Sequence, residues 1–431
     1  MGQSANAPFL VVHPTGNTYV RNDLQALHEA GCLRRYLTGF GFSHESFLAH
    51  FPGPAALRQE LERRAYDLPA QLICARPMRE LVRLLAARVG AGWLTRHETG
   101  WASVDAVFQD LDRAGAREIE RHVGQPGAVL AYEDGAEFTF AAAKAAGCRS
   151  YYHLPIAYGP YARKIFTDEA ARLPEWAPTL QGDRDSAKKM ARKERELKLA
   201  DVVICPSQFV IDSLPDDVRR SKPCHLVPYG APTPPPLLPN DPRDQSPNRP
   251  LRLLFAGALS QRKGLADVFA ALRLLGCPRD IELVLLGRAN APWEFYRAQG
   301  VPFTYEPPRA NDAVLALMAT CDALVLPSLV EGRAIVQLEA LSRGLFLLVT
   351  PNAGGEDLIT PGETGWLVPV RSPEALAEKI TWLHEHRRDW PALRLACRAR
   401  AEKVSWAAYR RGLLAALGGR DLGWNPAVAT L

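Results

Sequence analysis

Two glutamates eight positions apart, Glu331 and Glu339, stand in the string PSLVEGRAIVQLEALSRG from Pro327 to Gly344. The apolar run ALVLPS (323–328) before them reads as a buried strand, and the pattern after it predicts a helix starting near Gly332. Eight residues make about 2.2 helical turns, so both carboxylates share one broad face, roughly 12 Å apart along the axis. Carboxylate pairs that cleave a glycosidic bond sit about 5–9.5 Å apart. The wider spacing suits hydrogen bonds to two ends of an elongated polyhydroxylated ligand. Between those ends, the predicted helix-start amides of Gly332, Arg333 and Ala334 offer an anion site suited to phosphate. A nucleoside diphosphate sugar has this layout.

A second cluster, FAGALSQRKG (255–264), reads as a strand, a turn at Gly257, a loop with adjacent Arg262 and Lys263, and Gly264 opening a helix. Two cations at a helix start neutralise a diphosphate without a metal ion. In the first half, HPTGN (13–17) follows an apolar run and precedes a helix beginning near Thr18. There Gly16 either lets backbone amides approach a distal phosphate or makes a plain tight turn. His153 ends a strand-like run within SYYHLPI (150–156), as a hydrogen-bonded structural residue or as a group facing a cleft.

The elements that must carry these residues alternate short apolar runs with helical patterns, the grammar of parallel sheets flanked by helices. FLVVHP (9–14), AVLAYE (128–133), SYYHLPI and VVICPS (202–207) form one series; LRLLFAG (251–257), IELVLLG (281–287), ALVLPS and LFLLVT (345–350) form another. Between them, the proline-crowded stretch 231–250 reads as a linker. The expected fold class is α/β, with two doubly wound sheets whose post-strand loops line an interdomain cleft.

The motif strings together resemble the E-x7-E signature of retaining GT-B glycosyltransferases, family 4 in particular. Arg333 stands at the family's usual Phe, Ala334 at its second Gly, and Leu345 with Phe346 near a frequent Pro-Val. FAGALSQRKG is similar to the family's G-x5-K-G phosphate loop, with Ala258 where an Arg often stands, so that Arg262 supplies the second cation. LVPYG (226–230), AGGEDLITPGETGWLVP (353–369) and ERELKLADVVICPSQFV (194–210) resemble further family segments. The resemblance implies two Rossmann-like domains facing a cleft. An acceptor domain would span 1–229 and a donor domain 230–404. In 405–431, SWAAYRRGLLAAL (405–417) would cross back to the first domain.

The reaction implied is transfer of a hexosyl or related sugar from a nucleoside diphosphate sugar to an acceptor hydroxyl with retention, in glycan, glycolipid or small-molecule glycoside synthesis. Arg262, Lys263 and the helix start would hold the diphosphate, Glu331 the sugar hydroxyls and Glu339 the ribose. Gly16 and Gly257 would admit the donor backbone-close, His153 would face the cleft, and Tyr305 in YEPPR (305–309) would stand where the base is recognised. No metal or other cofactor is implied. A nucleotide-sugar epimerase or hydrolase of the same fold, and a non-catalytic binding protein, remain alternatives.

Composition narrows the classes. The 431 residues are 47% hydrophobic and 23% charged, as in an ordinary globular protein, and the net charge of +5 is too small to predict a nucleic-acid partner. No run approaches the roughly 18 apolar residues of a membrane span, and the opening lacks a signal-peptide layout, so a cytoplasmic protein is expected. Eight singly scattered cysteines signal neither zinc nor disulfides. Asp183-Arg184-Asp185 spells a metal-binding DxD, but it precedes a basic helix instead of ending a strand. Two basic segments, 76–96 and 186–198, could place the protein peripherally on an anionic inner membrane face; for the first, packing of its apolar stripe on the core is the other reading. The second could instead receive an anionic acceptor.

Overall fold

The computed structural model describes residues 9–122, 127–180, 185–236, 241, 243 and 249–418. Its first sheet runs β5 (Ile73–Ala75), β2 (Leu33–Thr38), β1 (Phe9–Val12), β6 (Ala128–Tyr132), β7 (Arg149–His153), β8 (Val202–Cys205) and β9 (Cys224–Leu226). The short pair β3 (Phe42–Ser43) and β4 (Ala65–Tyr66) stands apart from it. A second sheet runs β12 (Thr304–Glu306), β11 (Ile281–Leu286), β10 (Leu251–Ala256), β13 (Ala323–Leu326), β14 (Phe346–Val349) and β15 (Gly365–Leu367). The paired strands are parallel, and their central members are buried on both faces, as helix-covered parallel sheets require. Each of the eight apolar runs carries a strand. Strand β2 was not anticipated, because Arg34 and Arg35 interrupt its apolar pattern and only half-bury.

Packing crosses the expected division near residue 229 in three places, one of them at the cleft itself and two beside it. Helix Trp406–Ala416, capped by Ser405, lies against helix Thr18–Glu29. Tyr409 donates to Asp23 at 2.5 Å and Arg410 to Asn22 at 2.8 Å. The second crossing starts in the first half. Helix Gly159–Arg172 leads into the turn Pro174–Thr179, whose Trp176 ring is buried against Phe295 (4.8 Å between centroids) and Phe269 (6.0 Å). Beside it, Glu169 accepts from Gln261 at 2.6 Å and from Arg371 at 2.7 Å, while the Gln261 amide donates to Thr179 Oγ1 at 3.0 Å. Gln261 precedes Arg262, so the first half grips the loop that carries the two cations.

The basic segment 186–198 turns inward. On helix Ala187–Leu199, Lys189 lies 3.1 Å from Asp105 and from Asp185, Arg192 2.9 Å from Asp134, and Lys193 3.2 Å from Glu133. These three cations are buried and matched by acids, since ions leave water only when paired. These three cations are therefore not free for a membrane or an anionic acceptor, whereas Lys188, Arg195 and Lys198 stay exposed. Of the DxD string, Asp183 and Arg184 lie outside the described residues. Among the described residues, no helix is long and apolar enough to cross a membrane.

Trp176→Ala should lower the unfolding free energy by about 3–5 kcal/mol, the cost of emptying a packed aromatic site. Trp93→Ala, at an exposed ring, should change it by no more than about 0.5 kcal/mol. Urea titration followed by circular dichroism distinguishes the two; equal effects would contradict the docking of Trp176.

Candidate active site

In the second sheet, β10 is flanked by β11 and β13, so the chain order reverses at the β10/β13 boundary. Loops diverge there, and a ligand crevice forms outside the carboxyl ends of the strands. A cleft of about 510 Å³ opens at this point, walled by Tyr19, Ile156 and Tyr229 from the first half and by Gly257, Lys263, Arg309, Glu331 and Glu339 from the second.

Glu331 and the two loop cations converge in it. Lys263 Nζ donates to Glu331 Oε1 at 2.5 Å, and Arg262 lies 2.9 Å from the same oxygen while donating to Val330 O at 3.0 Å. Gly257 makes room for this: its φ is +128°, and a Cβ there would lie 2.7 Å from Lys263 Cε. Burial alone would raise the Glu331 carboxyl, but Lys263 and then Arg262 outweigh it and hold the group below its ordinary value. Burial, with Arg262 adding to it, lowers the Lys263 ammonium despite Glu331. Glu339 stands on the same wall. Burial pushes its carboxyl up, opposed by Asn311, which donates to it at 2.6 Å.

The helix start differs from expectation. The helix begins at Ile335, with Ala334 as its cap, and residues 329–334 cross the cleft as a loop instead of helix. Gly332 bridges to Ile156 of the first half and accepts from Ser207 Oγ at 2.5 Å; a Cβ on it would sit 1.7 Å from Pro155 O. Ala334 N donates to Ala353 O at 3.1 Å. Arg333 turns its guanidinium away, onto Asp357 at 2.5 and 2.9 Å. The helix-start amides on the cleft wall are those of Ile335 and Val336, while Gly332, Arg333 and Ala334 line the same cleft from the loop that precedes the helix.

Three further candidates sit outside the cleft. His153 is 0% exposed, held between Asp23 Oδ2 (3.2 Å) and Tyr229 OH (3.1 Å) and stacked on Tyr132 at 5.0 Å. Cleft-lining Tyr19 and Tyr229, themselves stacked at 4.9 Å, pack over it, so His153 supports the wall and does not face the ligand space. Gly16 lines a second cavity of about 740 Å³ with Arg21, Tyr66 and, across it, Asn311. Its carbonyl accepts from Arg21 at 2.8 Å. Tyr305 donates to Gly287 O at 3.2 Å and packs on Trp293 at 4.2 Å, behind the cleft wall that Gly287 forms.

Sequence reasoning missed Tyr19, Tyr229, Arg309 and Asn311. Tyr229 and Arg309 lie inside LVPYG and YEPPR, so a signal was present; Asn311 joins Glu339 only through space. Among the described residues, the one His/acid group close enough for a metal ion is His97, Glu98 and Asp185. It is not part of the cleft wall, and Lys189 already stands 3.1 Å from Asp185.

Residues 240–404 match the protein family described as "Glycosyl transferases group 1". Over 173 residues the chain is 28% identical to the amylovoran biosynthesis glycosyltransferase AmsK of Erwinia amylovora, covering 36% of this chain and 41% of that one. Over 169 residues it is 30% identical to a D-inositol 3-phosphate glycosyltransferase of Pseudarthrobacter chlorophenolicus, covering 36% and 39%. The match thus spans about two-fifths of each relative's length. In overall structure the chain is similar to Anabaena HepE in complex with UDP, with a TM-score of 0.59, 14% identity and coverage of 96% and 100%. It is also similar to a sucrose-phosphate synthase from Thermosynechococcus elongatus, with a TM-score of 0.63, 17% identity and coverage of 96% and 99%. The fold is GT-B: two Rossmann-like domains, as in these neighbours.

Beneath the cleft, burial lowers the His13 imidazole to about 4 from its ordinary 6.5. Protonation therefore favours the unfolded chain: the stability His13 contributes is full above pH 6.5 and is lost as pH falls toward 4. The stability gap between wild type and His13→Asn should narrow by about 3 kcal/mol from pH 7 to pH 4. A gap that stays constant in denaturant titrations across this range would contradict a buried neutral His13.

Proposed function

We propose that the chain is a retaining glycosyltransferase that moves a sugar from a nucleoside diphosphate sugar to an acceptor hydroxyl. The observation that carries this reading is the convergence of Lys263, Arg262 and Glu331 at the sheet's switch point, with Glu339 on the same wall. The group 1 family match supports it, as do neighbours whose titles name UDP and UDP-glucose. A nucleoside diphosphate is the leaving group in our reading, and its base is unassigned.

Departure of that leaving group puts negative charge on the β-phosphate, and catalysis requires groups aimed at the charge as it grows. Lys263 and Arg262 fill that role, joined by the amides of Ile335 and Val336 at a helix start. In the protein as described, Glu331 holds both cations in place. With donor bound, the phosphate oxygens become their partners and Glu331 turns to sugar hydroxyls, while Glu339, steadied by Asn311, takes the ribose. The leaving phosphate accepts the acceptor's proton, so no separate base is needed and His153 keeps a structural place. The relatives' names, an amylovoran biosynthesis glycosyltransferase and a D-inositol 3-phosphate glycosyltransferase, are consistent with glycan or glycoside synthesis.

Lys263→Ala should lower transfer by about 100- to 1000-fold, the range for losing one charge-stabilising donor, with an unchanged circular dichroism spectrum. Near-wild-type transfer from a panel of UDP, GDP, ADP and dTDP sugars would overturn the assignment.

Single-turnover transfer should survive EDTA, because two cations and a helix start carry the diphosphate charge. Loss of the chemical step on chelation, restored by a divalent ion, would show that a metal is required.

A further inference from the structure

We propose that the Pro77–Arg88 helix and the turn after it dock the protein on an anionic lipid bilayer. Met78, Leu81 and Leu85 recur at three- and four-residue steps and share one face of the helix, Val89 caps it, and Trp93 follows in the turn Gly92–Thr95. These side chains point to solvent: Met78 is 68% exposed, Leu85 55%, Val89 74% and Trp93 69%. The side turned to the domain carries Glu80 and Ala86, both buried. A helix that serves only its own core has the opposite arrangement. The packing of this stripe on the core, one of the two readings of segment 76–96, is thus not what the fold adopts.

Further apolar side chains are exposed between residues 47 and 57. Phe47, 71% exposed, and the exposed Phe51 and Leu57 come from the turn Phe47–His50 and its surroundings. Arg64, just beyond helix Ala55–Glu62, lies 3.6 Å from Glu80, which ties the two regions together.

Charge selects the occupant. Of the five arginines in 76–96, Arg83 is bonded to the buried Glu80 at 2.6 and 2.7 Å, and Arg76 and Arg79 lie 3.0 and 4.0 Å from Asp110 outside the segment. Arg88 and Arg96 are exposed and have no ion pair among the described residues. A second copy of this chain would bring like charge against like. A lipid headgroup layer offers negative charge outside and hydrocarbon below, the pairing that a basic apolar helix with a tryptophan fits. Arg63, Arg64 and Glu80 also line the 740 Å³ cavity that holds Gly16 and Asn311. Docking through this face would bring that cavity's rim to the bilayer, where an acceptor hydroxyl carried on a lipid would meet it.

The test is sedimentation of the full chain with vesicles of phosphatidylcholine alone or mixed with phosphatidylglycerol, which needs neither donor nor acceptor and so is independent of the catalytic reading. Wild type should bind the mixed vesicles, and more weakly as salt is raised. Leu85→Asp/Val89→Asp should reduce the partition coefficient at least about tenfold. Arg88→Glu/Arg96→Glu should remove the preference for the anionic vesicles. Circular dichroism and unfolding midpoints that match wild type show that both variants fold. The proposal fails if wild type stays in the supernatant, if the aspartate variant binds as wild type does, or if light scattering shows a dimer that this variant dissociates without any vesicle binding.

Discussion

The structure is organised around two cations sharing one buried carboxylate. Lys263, Arg262 and Glu331 come from loops after adjacent strands, β10 and β13, and meet only because the strand order reverses between them. None is stable in this place alone. Burial opposes the charged form of both Lys263 and Glu331; at Glu331 the field of the two cations outweighs it, and at Lys263 Glu331 opposes it without cancelling it. The absence of a side chain at Gly257 is part of the same constraint, since Lys263 occupies the space a Cβ would take. In the reading proposed above, a phosphate takes the place of the carboxylate that the two cations share.

The rest of the chain fixes that cluster against the first domain. Glu169 and Thr179 hold Gln261, the residue before Arg262, and the buried Trp176 anchors their segment in the second domain's core. On the other side, Ile156 and Ser207 hold Gly332, the residue after Glu331. Each member of the cation–carboxylate cluster therefore has a neighbour in the chain bonded across the cleft. A third tie joins the domains farther back. Asp23 accepts from Tyr132 and Tyr409 and lies 3.2 Å from His153, which in turn bonds Tyr229 on the cleft wall. Relative movement of the domains would disturb all three ties, so the geometry of the cations depends on the first domain.

How much of this was legible in the sequence depended on locality. Strands such as LRLLFAG and ALVLPS announced themselves because a sheet buried on both faces leaves no polar position, whereas LRRYLT was hidden by two arginines that reach the surface from a half-buried strand. Glu331, Glu339, Arg262, Lys263 and Gly257 were readable from spacing at strand ends, and the structure brings all five to one cleft or its rim. The helix start was misplaced by three residues, since the extended turn through Gly332 is imposed by Pro155 and Ile156, 176 residues or more away in the chain. The two readings of His153 were inseparable for a related reason: whether a strand-end histidine faces a cleft depends on what covers it, and Tyr19 and Tyr229 come from distant segments. The basic helix 186–198 looked like a surface because its acidic partners, Asp105, Glu133 and Asp134, lie in other segments.

The central claim is that the paired cations recognise a diphosphate, and calorimetric titration of the wild-type protein tests it most directly. UDP, GDP, ADP and dTDP are each titrated beside the corresponding nucleoside. Two charge-assisted contacts of about 1.5–3 kcal/mol apiece predict that at least one diphosphate binds about 100-fold or more tightly than its nucleoside. If no diphosphate is preferred over its nucleoside, Lys263 and Arg262 do not form a diphosphate site, and the account is contradicted.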